Sequence, residues 1–364
     1  MTKFSQTQCR FLLLTTLCFA TPITAMADIE GYTLSTKGGL KLSADDGSSS
    51  LQIGGRIMWD YDTTEADFTD GVDTFNVEDD DLELRRGRIK VQGHYNEWAY
   101  KINFNVLEDG EDEGVEDMYI QYKGWGKPAV VTVGRMREPF GLEQLTSSND
   151  ITMLERSAAT EAFAPGRDAG VRLSGSFDNH FTYGVGFYRD DDIDNEGVSQ
   201  NKVSARVTYA PINETGNVIH LGLAYQQPFS NDEAEILGLE FAAVVQQFHF
   251  QAEYFNADDA DLDTFYAQAG YVIKGNPRPY KGGKFKRVNS DDGAAYEIAI
   301  RYEDGYGRYN DTGLDFGEGE QLSVGFNIYP NDIIRLGIAY MDAEIDDTIV
   351  GDGDELRIRT QIAF

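Results

Sequence analysis

Alternation of apolar and polar residues is the feature of this sequence that most restricts its fold. It runs from Leu51 to the C-terminus, in segments such as KINFNV at residues 101–106 and FTYGVGF at residues 181–187. A period of two is typical of β-strands that present two different faces to their surroundings. Sixteen such segments can be counted, and several are about ten residues long, which suits tilted strands that cross a membrane.

The connections between these segments alternate in length. The connections after odd-numbered segments are long and acidic, and they comprise residues 62–80, 107–116, 189–199, 228–233, 256–261, 303–320 and 342–354. Those after even-numbered segments are mostly short, such as residues 96–97 and 330–332. A membrane barrel has long outer loops and short periplasmic turns, whereas a secreted β-sandwich or propeller, the main alternative, has no reason for this rhythm. The sequence therefore predicts an all-β fold, a 16-stranded antiparallel transmembrane β-barrel.

Two connections stand apart from this rhythm. Residues 138–164 form the longest insertion, between the fifth and sixth segments, and residues 152–160 within it are predicted to hold a short helix. Long loops in compact folds are usually functional, and in a barrel this one could fold into the lumen. Residues 274–290 follow an even-numbered segment but are long and basic, and the rhythm gives no account of them.

The N-terminus has the pattern of a secretory signal peptide. Lys3 and Arg10 precede an apolar stretch at residues 11–20, and Ala25-Met26-Ala27 fits a cleavage site after Ala27. Residues 1–27 are therefore predicted to be a signal peptide, and they contain both cysteines of the chain, Cys9 and Cys18. The Gly- and Ser-rich residues that follow predict a periplasmic segment over 28–50, with the barrel at 51–364. No later stretch of about 20 apolar residues predicts a membrane-spanning helix.

The parity of the strands assigns bulky apolar side chains to the lipid face and charged side chains to the lumen. Thirteen basic residues fall on the presumed lumen face: Arg56, Arg86, Arg88, Lys90, Lys101, Lys123, Arg172, Lys202, Arg206, Arg301, Arg335, Arg357 and Arg359. The chain as a whole carries a net charge of −31, with its acids mainly in the outer loops, which argues against a nucleic-acid partner. Rings of Arg and Lys are typical of anion pores, and the guanidinium fork suits oxyanions. In the alternative interpretation these side chains simply fill and pair within the lumen.

Catalytic and metal-binding signatures are weak. The four histidines lie on different strands and turns with no HExxH spacing, and neither a GxSxG elbow nor a P-loop occurs. The acidic run at residues 190–197 resembles a calcium loop, but Val203 stands where a bidentate Glu belongs. The sequence predicts no enzyme activity, no catalytic or metal site and no cofactor. Divalent ions that bridge loop carboxylates to lipopolysaccharide phosphates remain an open alternative.

Several motifs resemble the phosphate-selective porin O and P family of Gram-negative outer membranes. They are GGRIMWD at residues 54–60, LELRRGR at 82–88, GRMREPFGLE at 134–143, TSS at 146–148, LERS at 154–157 and PGRD at 165–168. The terminal Phe364 also resembles the C-terminal signature of outer-membrane barrels. The resemblance extends from about Gly38 to Phe364.

The resemblance implies an outer-membrane porin, a homotrimer of 16-stranded barrels that pass anions. It also implies that the loop after the fifth strand folds inward as a constriction, here the region 137–168, with Arg156 and Arg137 near the narrowest point. The expected partners are small inorganic anions, outer-membrane lipid and lipopolysaccharide. Phosphate or another oxyanion is the leading substrate hypothesis, although acidic outer loops would repel anions at low salt. A general porin of weak selectivity and a non-conducting structural or adhesive barrel are the alternatives.

Overall fold

The computed structural model describes residues 28–36, 38–69, 72–107, 114–189, 201–229, 234–257, 262–309, 314–346 and 350–364. The signal-peptide prediction for residues 1–27 and the acidic run at 190–197 therefore lie outside the described residues. Within these ranges one antiparallel sheet contains 19 strands, and 16 of them, β4 to β19, close into a barrel. The last strand pairs with β4 from Ala363 opposite Arg56 to Val350 opposite Thr69. The predicted 16-stranded barrel is confirmed.

The bounds of the elements follow in chain order. They are β1 (Asp28–Ile29), β2 (Tyr32–Ser35), β3 (Leu40–Ala44), β4 (Ser49–Thr69), β5 (Thr74–Tyr95), β6 (Trp98–Asn105), β7 (Gly114–Tyr122), β8 (Val130–Arg137), α1 (Leu142–Leu145), α2 (Ala158–Phe163), β9 (Arg167–Phe177), β10 (Phe181–Arg189), β11 (Asn201–Glu214), β12 (Asn217–Pro228), β13 (Ile236–Val245), β14 (Phe248–Ala257), β15 (Leu262–Lys274), β16 (Ala295–Tyr309), β17 (Leu314–Tyr329), β18 (Ile334–Asp346) and β19 (Val350–Ala363). Neither of these two helices is long and apolar enough to cross a bilayer.

The two faces of the barrel wall follow the period-two pattern of the sequence. On β19, Ile358 and Ile362 are exposed on the outer face, while Arg357 and Arg359, on either side of Ile358, are buried on the inner face. An apolar outer face suits contact with lipid, because burying charged side chains there costs about 2–4 kcal/mol each at mid-membrane. The polar inner face surrounds the lumen.

The height of the wall is uneven around the barrel. Strands β6, β7 and β8 have 8 or 9 residues, whereas β4 and β5 have 21 and 22. Much of the predicted loop 62–80 is therefore strand, since β4 continues to Thr69 and β5 begins at Thr74. The prediction of a loop there was wrong because the polar backbone groups of this acidic stretch pair across the two strands.

Residues 138–166, here called the inner loop, connect β8 to β9. The loop reaches the opposite side of the lumen, where Leu142 donates its backbone N–H to Glu253 of β14. Its helices are α1 and α2, and the sequence-predicted helix over residues 152–160 overlaps α2 only at residues 158–160. The preceding residues are not helical because the carbonyls of Ile151 and Thr152 accept hydrogen bonds from the barrel wall.

The connection from β15 to β16, residues 275–294, also bends into the lumen, from the end where the short turns lie. It is called the basic connector below. Phe285 is fully buried, and the hydroxyl of Tyr280 lies 2.5 Å from the Nδ1 atom of His220 on β12. The basic residues of this connection thus sit beneath the inner loop, which supplies the structural account that the sequence pattern lacks.

Candidate pore and its constriction

Arginines of the barrel wall hold the inner loop by its backbone carbonyls. Arg335 of β18 donates to the carbonyls of Ile151 (2.9 Å) and Thr152 (2.6 Å). Arg301 of β16 donates to the carbonyl of Glu155 at 3.0 Å. Charge-assisted hydrogen bonds of this kind are about twice as strong as neutral ones. They fasten the loop against the β16–β19 side of the lumen.

Carboxylates of the wall bind the two helix starts of the inner loop. Glu253 accepts from the backbone N–H groups of Leu142 (2.6 Å) and Glu143 (2.8 Å). Glu303 of β16 accepts from the N–H of Ala158 at 2.6 Å. These contacts satisfy donors that a helix leaves unpaired at its N-terminus. The loop is therefore connected to the wall through both its carbonyl and its amide groups.

Apolar packing adds to these polar contacts. The ring of Phe255 on β14 lies between Phe140 and Phe163 of the inner loop, with centroids 6.0 and 6.4 Å away. All three rings are almost fully buried. Burial of such side chains stabilises the inward position by roughly 1.5–3 kcal/mol per residue.

Glu155 lies at the centre of an ion-pair network between the loop and the wall. Arg86 donates to both of its carboxylate oxygens at 2.7 Å, and Arg359 also donates to it. Burial by itself raises the pKa of Glu155, but Arg85, Arg86 and Arg359 lower that pKa well below its ordinary value. The carboxylate therefore stays ionised and holds the loop to β5 and β19.

Most of the predicted pore arginines are engaged in such contacts. Arg206 binds Glu240 through two hydrogen bonds of 2.7 and 2.6 Å. Arg88 pairs with Glu116, and Arg357 pairs with Asp62 at 2.5 Å. All of these side chains lie on the inner wall as predicted by parity. Nearby carboxylates, however, compensate their charges. These arginines therefore mainly connect neighbouring strands of the wall to each other and the wall to the inner loop.

Among the remaining predicted basic residues, all but Lys202 line one or more cavities. Arg56 donates to Ser148 of the inner loop at 2.6 Å, and Arg172 donates to the carbonyl of Arg137 at 3.0 Å. Lys202 pairs with Glu138 and Asp168, and Lys101 pairs with Asp117 at 2.7 Å. Lys90, Lys123 and Lys284, by contrast, have no carboxylate at ion-pair distance among the described residues.

The two predicted constriction residues occupy different positions. Arg137 closes β8, donates to the carbonyl of Gln144 and lines a central cavity of about 460 Å³. Arg156 is 7% exposed and donates to the carbonyls of Glu143 and Thr146 within the inner loop. Arg156 does not line this cavity or any other cavity found among the described residues. Arg156 therefore supports the loop from inside.

Three neighbouring cavities with shared lining residues lie along the β4–β11 side of the lumen. The central cavity shares Lys101 with a second cavity of about 480 Å³ and Arg172 with a third of about 640 Å³. The last two share Lys123. The three cavities together are called the open path below, and the inner loop lines part of them through Leu145, Ser148 and Asp150. Lysines lie along their full extent.

The basic connector brings two further cations to this path that sequence reasoning did not assign. Lys286 pairs with Asp150 of the inner loop at 3.1 Å, and Lys284 lines both the central and the 640 Å³ cavity. Burial, together with Lys286 and Arg206, lowers the pKa of Lys284 to about 7. The sequence signals were the aromatic residues Tyr280 and Phe285, which are unusual in a polar turn and here anchor it inside the lumen.

Several described acids of the outer extensions point away from the lumen. On β18 and β19, Glu344 lies opposite Asp352 and Asp342 lies opposite Asp354, all on the outer face. Asp354 is in turn opposite Glu65 of β4. These carboxylates therefore surround the barrel above its apolar band, which reduces their repulsion of anions inside the mouth.

A group of three acids, Asp60, Asp62 and Glu83, has the spacing of a metal site. Arg359 binds Asp60 and Arg357 binds Asp62, so these two carboxylates already have cationic partners. The group is accounted for by ion pairs.

Known proteins resemble this chain in both sequence and fold. A sequence model described as "Phosphate-selective porin O and P" matches residues 51–236 and 227–364. Porin O of Pseudomonas aeruginosa is 27% identical over 91% of this chain and 91% of its own length. The anion-selective porin from Comamonas acidovorans has a TM-score of 0.55 at 14% identity, covering 87% of this chain and 100% of that one. The trimer form of OmpT from Vibrio cholerae has a TM-score of 0.52 at 11% identity, with the same coverage. At these identities the two solved structures show the fold alone.

Proposed function

This chain belongs to the phosphate-selective porin O and P family of outer-membrane porins, and from that premise we propose that it lets small anions diffuse passively through its lumen. Phosphate and other oxyanions are the proposed substrates. The members of this family are channels, which agrees with a role in permeation rather than catalysis.

The imbalance of charge along the open path carries this proposal. Carboxylates of the wall face cations, as Glu240 faces Arg206 and Asp117 faces Lys101. Lys90, Lys123 and Lys284 face no carboxylate at ion-pair distance in the described chain. The potential along the β4–β11 side is therefore positive although the whole chain is strongly acidic.

Lysine suits this task because its ammonium group is a compact and strongly hydrated point charge. A hydrated cation attracts an anion without the two-pronged grip of an arginine fork. Permeation requires binding that is weak enough for the ion to leave. The arginines, held in place by carboxylates and carbonyls, fix the position of the inner loop beside this path.

We propose a homotrimer in the outer membrane, exported by a signal peptide that is cleaved after Ala27. The OmpT structure of the same fold is a trimer form. Lipid would contact the apolar outer face, and lipopolysaccharide would surround the acidic extensions of β16–β19. The low wall at β6–β8 offers the side on which another copy could pack.

Conductance in planar bilayers tests the proposed function. The purified protein should open channels, and a KCl gradient should give a zero-current potential of the sign expected for anions. Lys284→Gln should reduce this selectivity, whereas Lys274→Gln, an exposed lysine at the end of β15 that lines none of the three cavities, is the matched control. Channels without selectivity would favour a general porin, and the absence of channels would favour a structural barrel.

A further inference from the structure

The 640 Å³ cavity at the turn end of the lumen has a lining that differs from the rest of the path. It lies between the inner loop, strands β7–β10 and the basic connector, and is called the vestibule below. Cavities of 300–1,000 Å³ accommodate organic ligands of drug size, so the space greatly exceeds what one inorganic oxyanion needs.

The charge of the vestibule is one-sided. Its lining includes Lys123, Lys127 and Lys284, together with Arg172 and Arg206, and it includes no carboxylate. Arg206 is neutralised by Glu240, but the three lysines have no acidic partner in the described part of the chain. Lys123, Lys127 and Arg172 have no acidic partner among the described residues, and such cations around one cavity favour a ligand with more than one negative charge.

Burial and nearby cations also change the protonation of Lys284. The lowered pKa of Lys284, about 7, results from burial, from Lys286 and from Arg206. A bound dianion would favour the charged form of this lysine.

Another part of the lining is apolar, which is unusual for a lumen face. Val130 points inward from β8, and Pro139 and Leu145 approach from the inner loop. Pro139 lies close against β10, because a Cβ atom added to Gly184 would lie 2.9 Å from its Cβ. The apolar surface of the vestibule is therefore held in place by the packing of Pro139 against β10.

From this juxtaposition we propose that the vestibule binds organic anions with a doubly charged headgroup on an apolar body, and that small phosphate monoesters are the class that fits. The inference rests on the proposed anion function and names a substrate class for the same channel. The phosphate group would face Lys123, Lys127 and Lys284. The organic body would lie against Val130, Pro139 and Leu145.

Block of chloride current tests this inference. Phenyl phosphate and inorganic phosphate are each titrated against single-channel chloride current at pH 8, from the side of the short turns. Burial of one methylene-sized group is worth about a fourfold change in affinity. Phenyl phosphate should therefore block at a concentration at least about fivefold lower than inorganic phosphate.

Substitution of the apolar wall separates this contribution from charge. Val130→Thr keeps the shape of the side chain but makes it polar, so it should lower the advantage of phenyl phosphate without changing block by inorganic phosphate. Val133→Thr is the matched control, because Val133 is on the outer face of the same strand. Equal block by the two phosphates, or an equal effect of both substitutions, would overturn the vestibule assignment while leaving anion permeation intact. A cation-selective zero-current potential would instead overturn the function on which it rests.

Discussion

Replacement of Arg335 by Met should release the central part of the inner loop. The guanidinium makes hydrogen bonds to the carbonyls of Ile151, Thr152 and Met153 and to the side chain of Asn327, and its side chain is fully buried. Methionine preserves much of the volume but leaves these acceptors without their donor. Unsatisfied buried acceptors cost about 1–3 kcal/mol each, so a loss of about 3–5 kcal/mol for the inward position is reasonable.

That loss corresponds to at least a hundredfold change in the equilibrium between the fixed and the released loop, since 1.4 kcal/mol is a factor of ten. The barrel itself should persist, because its strands pair independently of this contact. Single-channel recordings should show larger and noisier currents than the wild type. Limited trypsin digestion in detergent should cleave after Arg156, which is buried in the intact loop.

Arg189→Met, at the exposed outer end of β10, is the control and should change neither readout. The shift in electrophoretic mobility on heating reports whether each variant retains its barrel. A folded Arg335→Met protein with unchanged currents and unchanged resistance at Arg156 would refute the conclusion that wall arginines hold the loop.

Three further perturbations follow from the same contacts. Arg156→Ala should alter anion conductance more than Arg189→Ala, because Arg156 supports the inner loop from within, and equal effects would contradict that role. Burial and the neighbouring Asp168 carboxyl raise the pKa of Glu138 to about 7, so its contribution to stability is present below pH 4.5 and is lost as the pH rises through 7. Thermal unfolding of wild type and Glu138→Gln between pH 4.5 and 8 should show this loss in the wild type alone, and parallel profiles would count against it. Glu155, with its lowered pKa, has the opposite sign: Glu155→Gln should destabilise the protein by about 3–5 kcal/mol at pH 7. Urea-unfolding curves of this variant and the wild type should converge only as the pH falls through the lowered pKa of Glu155, well below 4.5, and a difference already lost at pH 4.5 would contradict the ion-pair network.

The barrel and the direction of its side chains could be predicted from the sequence because both depend on one local property. A period of two sets strand identity and face together, and the lengths of the connections set the order of pairing. Ile358 and Arg359 illustrate this, since neighbouring residues lie on opposite faces. The same pattern could not fix where β4 ends, because polar residues form strands outside the membrane as readily as loops.

The role of the arginines could not be predicted, because parity gives the direction of a side chain and not its partner across the lumen. Arg335 binds the carbonyl of Ile151, which is 184 residues away in the chain. Backbone carbonyls have no sequence signature. The sequence therefore does not distinguish an arginine that holds the inner loop from one that lines the pore. The position of Lys284 was equally hidden, since it depends on the anchoring of Tyr280 and Phe285 inside the barrel.

The most direct test of the lysine-lined path is the zero-current potential across a KCl gradient for the wild type and for the triple variant Lys90→Gln, Lys123→Gln, Lys284→Gln. The wild type should favour chloride, and the triple variant should lose most of that preference while its arginines remain in place. A wild-type channel that favours potassium, or a triple variant as anion-selective as the wild type, would contradict the assignment of these lysines.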